Sequence, residues 1–514
     1  MNHDLLLPFL TGLPLLGALA VLFAPVSDGS LRRLAVFFSL AALVPGLMLF
    51  CGFASDQTGF QAVFEAPWFS LPGLGGAVWF SLGTDGISLL FVLLTAVLTP
   101  LVLVAAPGHI HTRVREFLFW MLLMEAGMLG TFLATDLVLF YVFWEMSLVP
   151  LYFIVGIWGG ENRIYATVKF FLYTLVGSLV MLVGLIRVAL EMGTTNVSAL
   201  VRADLPLDLQ SVAVASVALR VRLNVAVVPF HTWLPDAHVQ APTGGSVILA
   251  GVMLKLGAYG LLRYGVQMFP AAAVAWGPLL AAVGVVGIVY GSFLAWAQRD
   301  LKKLVAYSSV AHLGFVVLGT FAFTATAIQG AVIQGVNHGI TTGALFLLVG
   351  VLYDRLHTRD LSRFGGLARS FPAFGFFLLF TTLASIGLPG TNGFVGEFLI
   401  LFGSFATRPV LTVLGALGVV LGAVYMLGMC REVIFGPIRR QENRTLAALK
   451  PREWAALAPL AALMLWIGIF PGPLLDRTHL ACRELARRVE PYTKEARLEL
   501  PAKVPAPPLL QEER

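Results

Sequence analysis

Several ionisable side chains lie inside long apolar stretches of the sequence, where each charge costs about 2.5–3.5 kcal/mol on membrane insertion scales. They are Glu125, Glu145, Lys169, Arg187, Arg220, Arg222, Lys255, His312, His338 and Glu397. Carboxylates, amines and imidazoles can each gain and lose a proton, and a low-dielectric interior moves that exchange toward neutral pH. Their occurrence in several stretches indicates proton transfer through the interior of the protein.

Glu145 and Lys255 are the strongest candidates, because each lies near the middle of an apolar run. Lys255 is too deep to reach an interface easily, and Glu145 has no neighbouring base in the sequence, so a partner from another helix is expected. The alternative for each is a structural salt bridge.

Other positions are equally compatible with structural roles. In the structural alternative, Glu125 pairs with Lys169 or Arg187, which are near enough to helix ends to extend toward the interface. His312 and His338 could be core histidines bonded to nearby carbonyls, but the presence of Glu397 favours a relay.

The elements that position these residues are membrane helices. The chain has 514 residues, 58% hydrophobic and 12% charged, with a mean hydropathy of +0.86, which excludes an ordinary soluble fold. At about 20 apolar residues per crossing, the apolar runs predict an all-α polytopic membrane protein with about 14 transmembrane helices. The predicted spans lie near residues 5–24, 34–53, 84–106, 116–134, 137–158, 164–190, 211–238, 243–265, 273–298, 302–323, 327–352, 371–405, 409–435 and 453–471.

The basic residues predict how these spans are oriented. With the N-terminus outside, 18 lysines and arginines fall in inner connections, whereas the short outer ones carry Arg202, Arg263 and Arg408. The inner set is Arg32, Arg33, Arg113, Arg115, Arg163, Arg299, Lys302, Lys303, Arg355, Arg359, Arg363, Arg369, Arg431, Arg439, Arg440, Arg444, Lys450 and Arg452. This asymmetry predicts that both termini face outward. It also explains the net charge of +6 without nucleic-acid binding.

Two predicted spans are interrupted by proline and polar residues, the seventh at Pro229 and the twelfth at Pro389. Such breaks are tolerated at membrane depth only where they face protein or water. Because the breaks are five helices apart, the sequence predicts two inverted five-helix repeats. The alternative is two incidental proline kinks. The predicted division is residues 1–115 for three N-terminal helices, 116–265 and 273–435 for the repeats, 453–471 for the last span and 474–514 for a polar C-terminal tail. This tail ends in a proline-rich stretch, Pro501 to Pro508, which is typical of an extended, partner-contacting or disordered segment.

Redox and metal chemistry of its own is not expected for this chain. It has three cysteines without a CxxC pattern, and His231, Asp236 and His238 lack a third ligand at a recognisable spacing. Phosphate-loop and dinucleotide fingerprints are also missing from the sequence. The first apolar run follows no basic segment and is therefore expected to be a retained helix.

Four sequence motifs stand out in this chain. They are Phe140 to Tyr152 (FYVFWEMSLVPLY), Pro229 to His238 (PFHTWLPDAH), Ala241 to Thr243 (APT) and Gly396 to Phe398 (GEF). They closely resemble the M-type membrane subunits of bacterial NADH:quinone oxidoreductase, complex I. The likeness extends over about residues 80–470. Subunits L and N of the same complex and the cation/proton antiporters are related, but the first motif and the lack of a lateral helix extension favour the M type.

The resemblance implies a proton-translocating membrane-arm subunit in which Glu145, Lys255, His312, His338 and Glu397 form the proton path. It implies a bacterial inner membrane location and partners of the L and N types. NADH, FMN, iron–sulfur clusters and quinone are then expected in the partner subunits. The alternatives are a cation/proton antiporter subunit and a structural membrane-arm subunit with impaired pumping.

One position departs from the resemblance. The lysine that this family has in its seventh helix, the expected partner of Glu145, falls on Asn224. Arg220 lies four residues earlier, hence on the same helix face, but an arginine does not release its proton. Arg222 adds a second arginine where an apolar run is expected, so the lysine's role is either displaced or obscured by a short compensated reading-frame error.

Overall fold

The computed structural model describes residues 5–70, 77–106, 110–203, 205–224 and 228–498, with side chains described except at 218–224 and 495–498. Within these ranges the chain is a bundle of helices, twelve of which are long and apolar enough to cross a membrane. Two further crossings are divided into shorter helices, which agrees with the predicted polytopic all-α fold.

The N-terminal part has three spans and a hairpin. The spans are α1 (Leu6–Phe23), α2 (Asp28–Gly52) and α3 (Ser88–Ala105). Between α2 and α3, the antiparallel strands β1 (Gln61–Ser70) and β2 (Ala77–Thr84) pair Phe64 with Leu82. The sequence analysis assigned no element to this segment, so the hairpin is an addition to the predicted fold. The alternation of buried and exposed positions along β2 is short, and it is a weaker signal than the long apolar runs beside it.

The next five crossings have a broken fourth member. They consist of α4 (Val114–Leu133), α5 (Leu137–Trp158), α6 (Arg163–Met192), the connecting α7 (Val197–Arg202), α8 (Leu207–Asn224), α9 (Trp233–Gln240), α10 (Thr243–Ile248) and α11 (Leu254–Gly260). Two π-helical segments, Leu249–Met253 and Leu261–Gln267, flank α11 and complete one continuous span with α10.

The following five crossings repeat this order. They consist of α12 (Pro270–Trp296), α13 (Leu301–Phe321), α14 (Ala325–Leu356), the connecting α15 (Leu367–Ser370), α16 (Pro372–Ser385), α17 (Asn392–Phe405) and α18 (Pro409–Val433). The breaks at Pro229 and Pro389 thus separate α8 from α9 and α16 from α17, as predicted. Because each unit has an odd number of crossings, the second is inverted relative to the first.

A matching pair of backbone contacts supports the two repeats. Asp136 caps α5 and bridges to Asn196, while Asp300 caps α13 and bridges to Asp360. The two residues are 60 positions apart in both pairs. The start of the second helix is therefore held in the same way by the segment after the third helix in each unit.

Close helix packing also recurs in the two units. Gly127 of α4 lies against the backbone of Ser147 in α5, and Gly284 of α12 lies against the backbone of Gly314 in α13. Small residues let membrane helices approach closely where hydrophobic driving force between them is weak.

The chain ends with α19 (Pro451–Ile469) and α20 (Gly472–Leu498). The predicted polar tail is therefore helical as far as Leu498, which the sequence analysis did not predict, and the proline-rich stretch Pro501 to Pro508 lies outside the described residues. α20 packs against α14 and α12, and Gln329 of α14 donates hydrogen bonds to Leu475 O and Thr478 Oγ1 at 2.7 and 2.9 Å. Its mixed charges concealed a helix with one buried face.

The most buried spans are the central ones. The apolar windows of Thr243–Gln267 and Ala325–Leu356 are 100% buried and that of Leu301–Phe321 is 94% buried, against 33% for Asp28–Gly52. These three spans carry Lys255, His338 and His312, so the predicted relay lies along the protein interior.

Candidate functional site

Lys255 is fully buried in α11, directly after the first π-helical segment. In that segment Leu254 N–H donates to Leu249 O, five residues back, and Ala250 O accepts from the Lys255 ammonium. Lys255 Nζ also lies 2.6 Å from His338 Nδ1 of α14. The wide π-helical turn therefore supplies a carbonyl that holds the lysine against the histidine.

His312 continues this line of residues from α13. Its ring centroid lies 5.5 Å from that of His338, and its Nδ1 lies 2.9 Å from Glu397 Oε1 in α17. The side chains of His312 and Glu397 are 9% and 7% exposed. The structure thus brings Lys255, His338, His312 and Glu397 together in that order.

Two polar side chains orient the end of this line, and sequence reasoning missed both. Gln334 Nε2 donates to Glu397 Oε1 at 3.0 Å, and Ser385 Oγ lies 3.3 Å from His312 Nε2. Both His312 nitrogens are therefore engaged. Neutral residues within apolar spans carry little sequence signal, so only the fold shows their proximity.

The break after α16 places Glu397. Gly387 has φ +75°, and a Cβ there would lie 3.3 Å from Glu397 Oε2. At the far side of the break, Asn337 Nδ2 donates to Asn392 O at 2.5 Å and Asn392 Nδ2 donates to Asn337 O at 3.3 Å. These reciprocal bonds fix the start of α17 to α14.

Glu145 lies apart from this line, in α5. It is half-buried and accepts a hydrogen bond from Ser178 of α6. The side chains of Arg220 and Asn224, predicted near Glu145, lie outside the described residues. That Asn224 stands in place of the expected lysine therefore stays a prediction from the sequence.

The alternative that pairs Glu125 with Lys169 or Arg187 is wrong. Glu125 is fully buried and accepts from Ser39 Oγ of α2 at 2.9 Å. Lys169 instead pairs with Asp236 of α9 at 2.7 Å, and Arg187 lies 3.4 Å from Glu191 on its own helix. The pairing failed because α4 packs beside α1, α2 and α5, which brings Glu125 to α2.

Arg263 was counted as an outer-loop charge, and the structure corrects this. It lies in the second π-helical segment, is 1% exposed, and its guanidinium pairs with Asp85 at 2.6 Å. Asp85 also accepts from the backbone of Ile87 and Ser88 at the start of α3. The sequence around Arg263 or around Asp85 does not by itself indicate that these two side chains form an ion pair.

His238, set aside as a metal ligand, is fully buried in α9. Its ring stacks on Phe346 with centroids 4.5 Å apart, and neither ring nitrogen has a hydrogen-bond partner among the described residues. His231 precedes this short helix and lies near the rings of Tyr290 and Tyr307.

Two polar cavities lie at opposite ends of the bundle. The Lys302 cavity, about 670 Å³, is formed by connections that follow the third, fifth, seventh, ninth and eleventh spans and is lined by His111, Glu161, Gln240, Lys302, His357 and Arg359. The Arg263 cavity, about 500 Å³, is lined by Glu65, Asp85, Asn196, Arg202, Arg263 and Glu484. Because successive spans alternate in direction, the two cavities open on different sides.

Two aspartates that cap helical segments differ in environment. Burial raises the pKa of Asp136, which accepts hydrogen bonds from Thr195 and two backbone amides. Asp360 is exposed, and hydrogen bonds from the Ser362 hydroxyl and backbone N–H lower its pKa. Asp136 caps α5, whereas Asp360 caps the short 3₁₀ helix Leu361–Arg363.

Comparison with known proteins identifies the family. The family described as "NADH:quinone oxidoreductase/Mrp antiporter, TM" matches residues 134–422. NADH-quinone oxidoreductase subunit M of Rhodobacter capsulatus is 42% identical, over 92% of this chain and 94% of that protein. The chain belongs to the NADH-quinone oxidoreductase subunit M family.

Solved structures agree with this membership. A chain of respiratory complex I from Thermus thermophilus with bound NADH is 32% identical and has a TM-score of 0.85, covering 95% of this chain and 99% of that one. A chain of the Mrp complex from Dietzia sp. is 20% identical with a TM-score of 0.80, covering 96% and 98%. The second likeness shows a shared fold alone. This member of the subunit M family is a multi-pass membrane protein.

Proposed function

We propose that this chain moves protons across the membrane through Lys255, His338, His312 and Glu397, as a membrane-arm subunit of an NADH:quinone oxidoreductase. The observation that supports this most directly is the buried line from Lys255 to Glu397, with donor–acceptor distances of 2.6 Å at its start and 2.9 Å at its end. Each member can exchange a proton, and family membership supplies the reaction that drives the transfer.

The geometry suggests one role for each residue. The Lys255 ammonium donates its proton to His338 Nδ1, and the neutral amine is left bonded to Ala250 O. His338 passes a proton to His312 across a ring separation of 5.5 Å, which one water molecule can bridge. His312 Nδ1 then protonates Glu397, and Glu397 releases this proton toward the outer side. Reprotonation of Lys255 from the inner side resets the line.

Glu145 has a different proposed role, in controlling Lys255. The free energy of protonating Lys255 depends on the charges near it. If the partner of Glu145 moves toward or away from Lys255, that free energy changes. Arg220 could neutralise Glu145 permanently, whereas a lysine could release it. The sequence of the seventh span therefore decides whether this control is intact.

The remaining assignments complete the proposal. NADH, FMN, iron–sulfur clusters and quinone bind to partner subunits, and neighbours of the L and N types share the apolar outer helices with lipid. The chain lies in the bacterial inner membrane with both termini outside, and its repeats extend over 116–265 and 273–435. The basic excess in the predicted inner connections supports this orientation. A cation/proton antiporter is less supported, because the 42% identical relative is a subunit of an NADH-quinone oxidoreductase.

The test is NADH-driven proton uptake by inverted membrane vesicles carrying Lys255→Met, with quinone reduction followed in parallel. We expect assembled complex and loss of proton uptake per electron. Lys494→Met is the matched control, because this lysine is 70% exposed on α20 and should leave pumping unchanged. Native pumping by Lys255→Met would reject the relay.

Glu145→Gln addresses the role of Asn224 in the same vesicles. Loss of pumping in an assembled complex would place Glu145 on the coupled path despite Asn224. Unchanged pumping and turnover would instead favour a structural or uncoupled subunit. Sodium-dependent transport without NADH coupling would favour the antiporter alternative.

A further inference from the structure

We propose that Lys302 loads protons into the relay from the Lys302 cavity, which rests on the proton transfer proposed above. The cavity holds about 670 Å³ and is lined by polar groups from several connections. A cavity of this size with several polar partners can hold many water molecules. Lys302 is one of its lining residues, yet it is only 7% exposed, so it lies where the cavity meets the packed interior.

The surroundings of Lys302 leave its ammonium free to exchange a proton. Its Nζ donates to Ala241 O at 2.6 Å. The nearest acid in sequence, Asp300, caps α13 with one oxygen and lies 3.4 Å from Arg359 with the other. Among the described ion pairs, Lys302 has no carboxylate partner. Unlike arginine, a lysine in such a position can release its proton.

The contact with Ala241 also places Lys302 at the C-terminal end of α9. The end of a helix carries partial negative charge on its last carbonyls, which stabilises a cation there. Ala241 is the residue immediately after α9, and its carbonyl receives the Lys302 ammonium. This short half of the broken span therefore holds Lys302 at the base of the cavity.

His238 is the residue through which we extend this route toward the relay. It lies within α9, is fully buried, and both ring nitrogens are without a hydrogen-bond partner among the described residues. Its ring stacks on Phe346 of α14, the helix that also carries His338. A buried polar group without a partner is costly, and such groups are associated with bound water or a catalytic role. The proposed route therefore runs from Lys302, at the end of α9, through His238 toward the relay residues.

A structural alternative is that Lys302 only caps α9. Lys302→Arg separates the two roles, because arginine keeps the positive charge and can donate to Ala241 O but does not release a proton. In inverted vesicles with NADH, we expect assembled complex and an initial proton uptake rate lowered about tenfold or more, since a positioned proton-transfer group typically contributes about 10²–10⁴-fold. The matched control is Lys303→Arg, because Lys303 does not line the cavity.

The outcomes separate this inference from the relay itself. Native pumping by Lys302→Arg, with pumping lost in Lys255→Met, would overturn the loading role and leave the relay standing. Native pumping by both would reject the relay as well. If Lys302→Arg fails to assemble, Lys302→Gln retains a donor for Ala241 O without an exchangeable charge, and native pumping by it would also overturn the loading role.

Accessibility provides an independent readout. In a Cys51→Ser background, where Cys430 and Cys482 are buried, Lys302→Cys should react with a membrane-impermeant cationic methanethiosulfonate in inverted vesicles. We expect no reaction in right-side-out vesicles. Lack of labelling from either side would show that water does not reach Lys302, and labelling only from outside would contradict uptake from the inner face.

Discussion

His312 Nδ1 and Glu397 Oε1 are 2.9 Å apart although the residues are 85 positions apart in sequence. The contact depends on the break between α16 and α17, because an unbroken span would keep Glu397 in helical register with Ser385. Instead the turn after Ser385 presents Glu397 to His312 while Ser385 remains near the other ring nitrogen. One interruption thus positions two partners of the same imidazole.

Glu397→Gln should uncouple the end of the relay. Glutamine can still accept hydrogen bonds from His312 and Gln334 but cannot take up a proton, so we expect the proton uptake rate to fall about tenfold or more. Dye quenching in inverted vesicles measures this. Glu191→Gln is the control, because that side chain is 44% exposed. Native uptake by Glu397→Gln would mean that the path does not end at Glu397.

Gly387→Ala should damage the break itself. Gly387 has a positive φ, and a methyl group there would crowd Glu397 Oε2, so we expect destabilisation of about 1 kcal/mol or more and reduced pumping. Thermal unfolding of the purified complex measures the first effect. Gly422→Ala is the control, because the space around Gly422 is open and its helix is regular. Equal behaviour of the two variants would contradict the strained turn.

Arg263→Gln should destabilise the fold strongly. It leaves Asp85 buried without its cation, and breaking a buried pair costs about 3–5 kcal/mol. We expect little folded protein, measured by fluorescence-detected size exclusion, and partial recovery in the double variant Arg263→Met with Asp85→Leu. Arg187→Gln, from an exposed pair, should have little effect. A stable Arg263→Gln protein would show that the pair is dispensable.

Thr478→Val should loosen α20 from the bundle. Its hydroxyl accepts a hydrogen bond from Gln329, which keeps its second bond to Leu475 O, so we expect a loss of about 1 kcal/mol. The melting temperature of the detergent-solubilised protein measures this. Thr493→Val, at a half-buried position whose hydroxyl donates to Glu490 O of the same helix, should be nearly neutral. Equal melting temperatures for the two variants would contradict a contribution of Thr478 to the packing of α20 on the bundle.

Intramembrane charge made Lys255, His312, His338 and Glu397 recognisable from the sequence, because such residues are rare in apolar spans. Their order along the relay was not predictable, since it depends on how α11, α13, α14 and α17 pack. The same limit explains the wrong partner for Glu125. Long apolar runs located the spans. In contrast, β1, β2 and α20 were missed because the apolar patterns of the strands are short and that of α20 is interrupted by charged residues.

The last helix has a consequence for how the protein is made. The helix α20 forms hydrogen bonds with three earlier elements. Arg477 donates to Phe50 O of α2, Gln329 of α14 donates to Thr478, and Arg488 donates to Gln267 O at the end of the second π-helical segment. The ribosome completes α20 only after all these partners have been inserted. Their final mutual arrangement therefore forms after translation of this helix, so that a nascent chain halted earlier lacks the brace that joins its first and second halves.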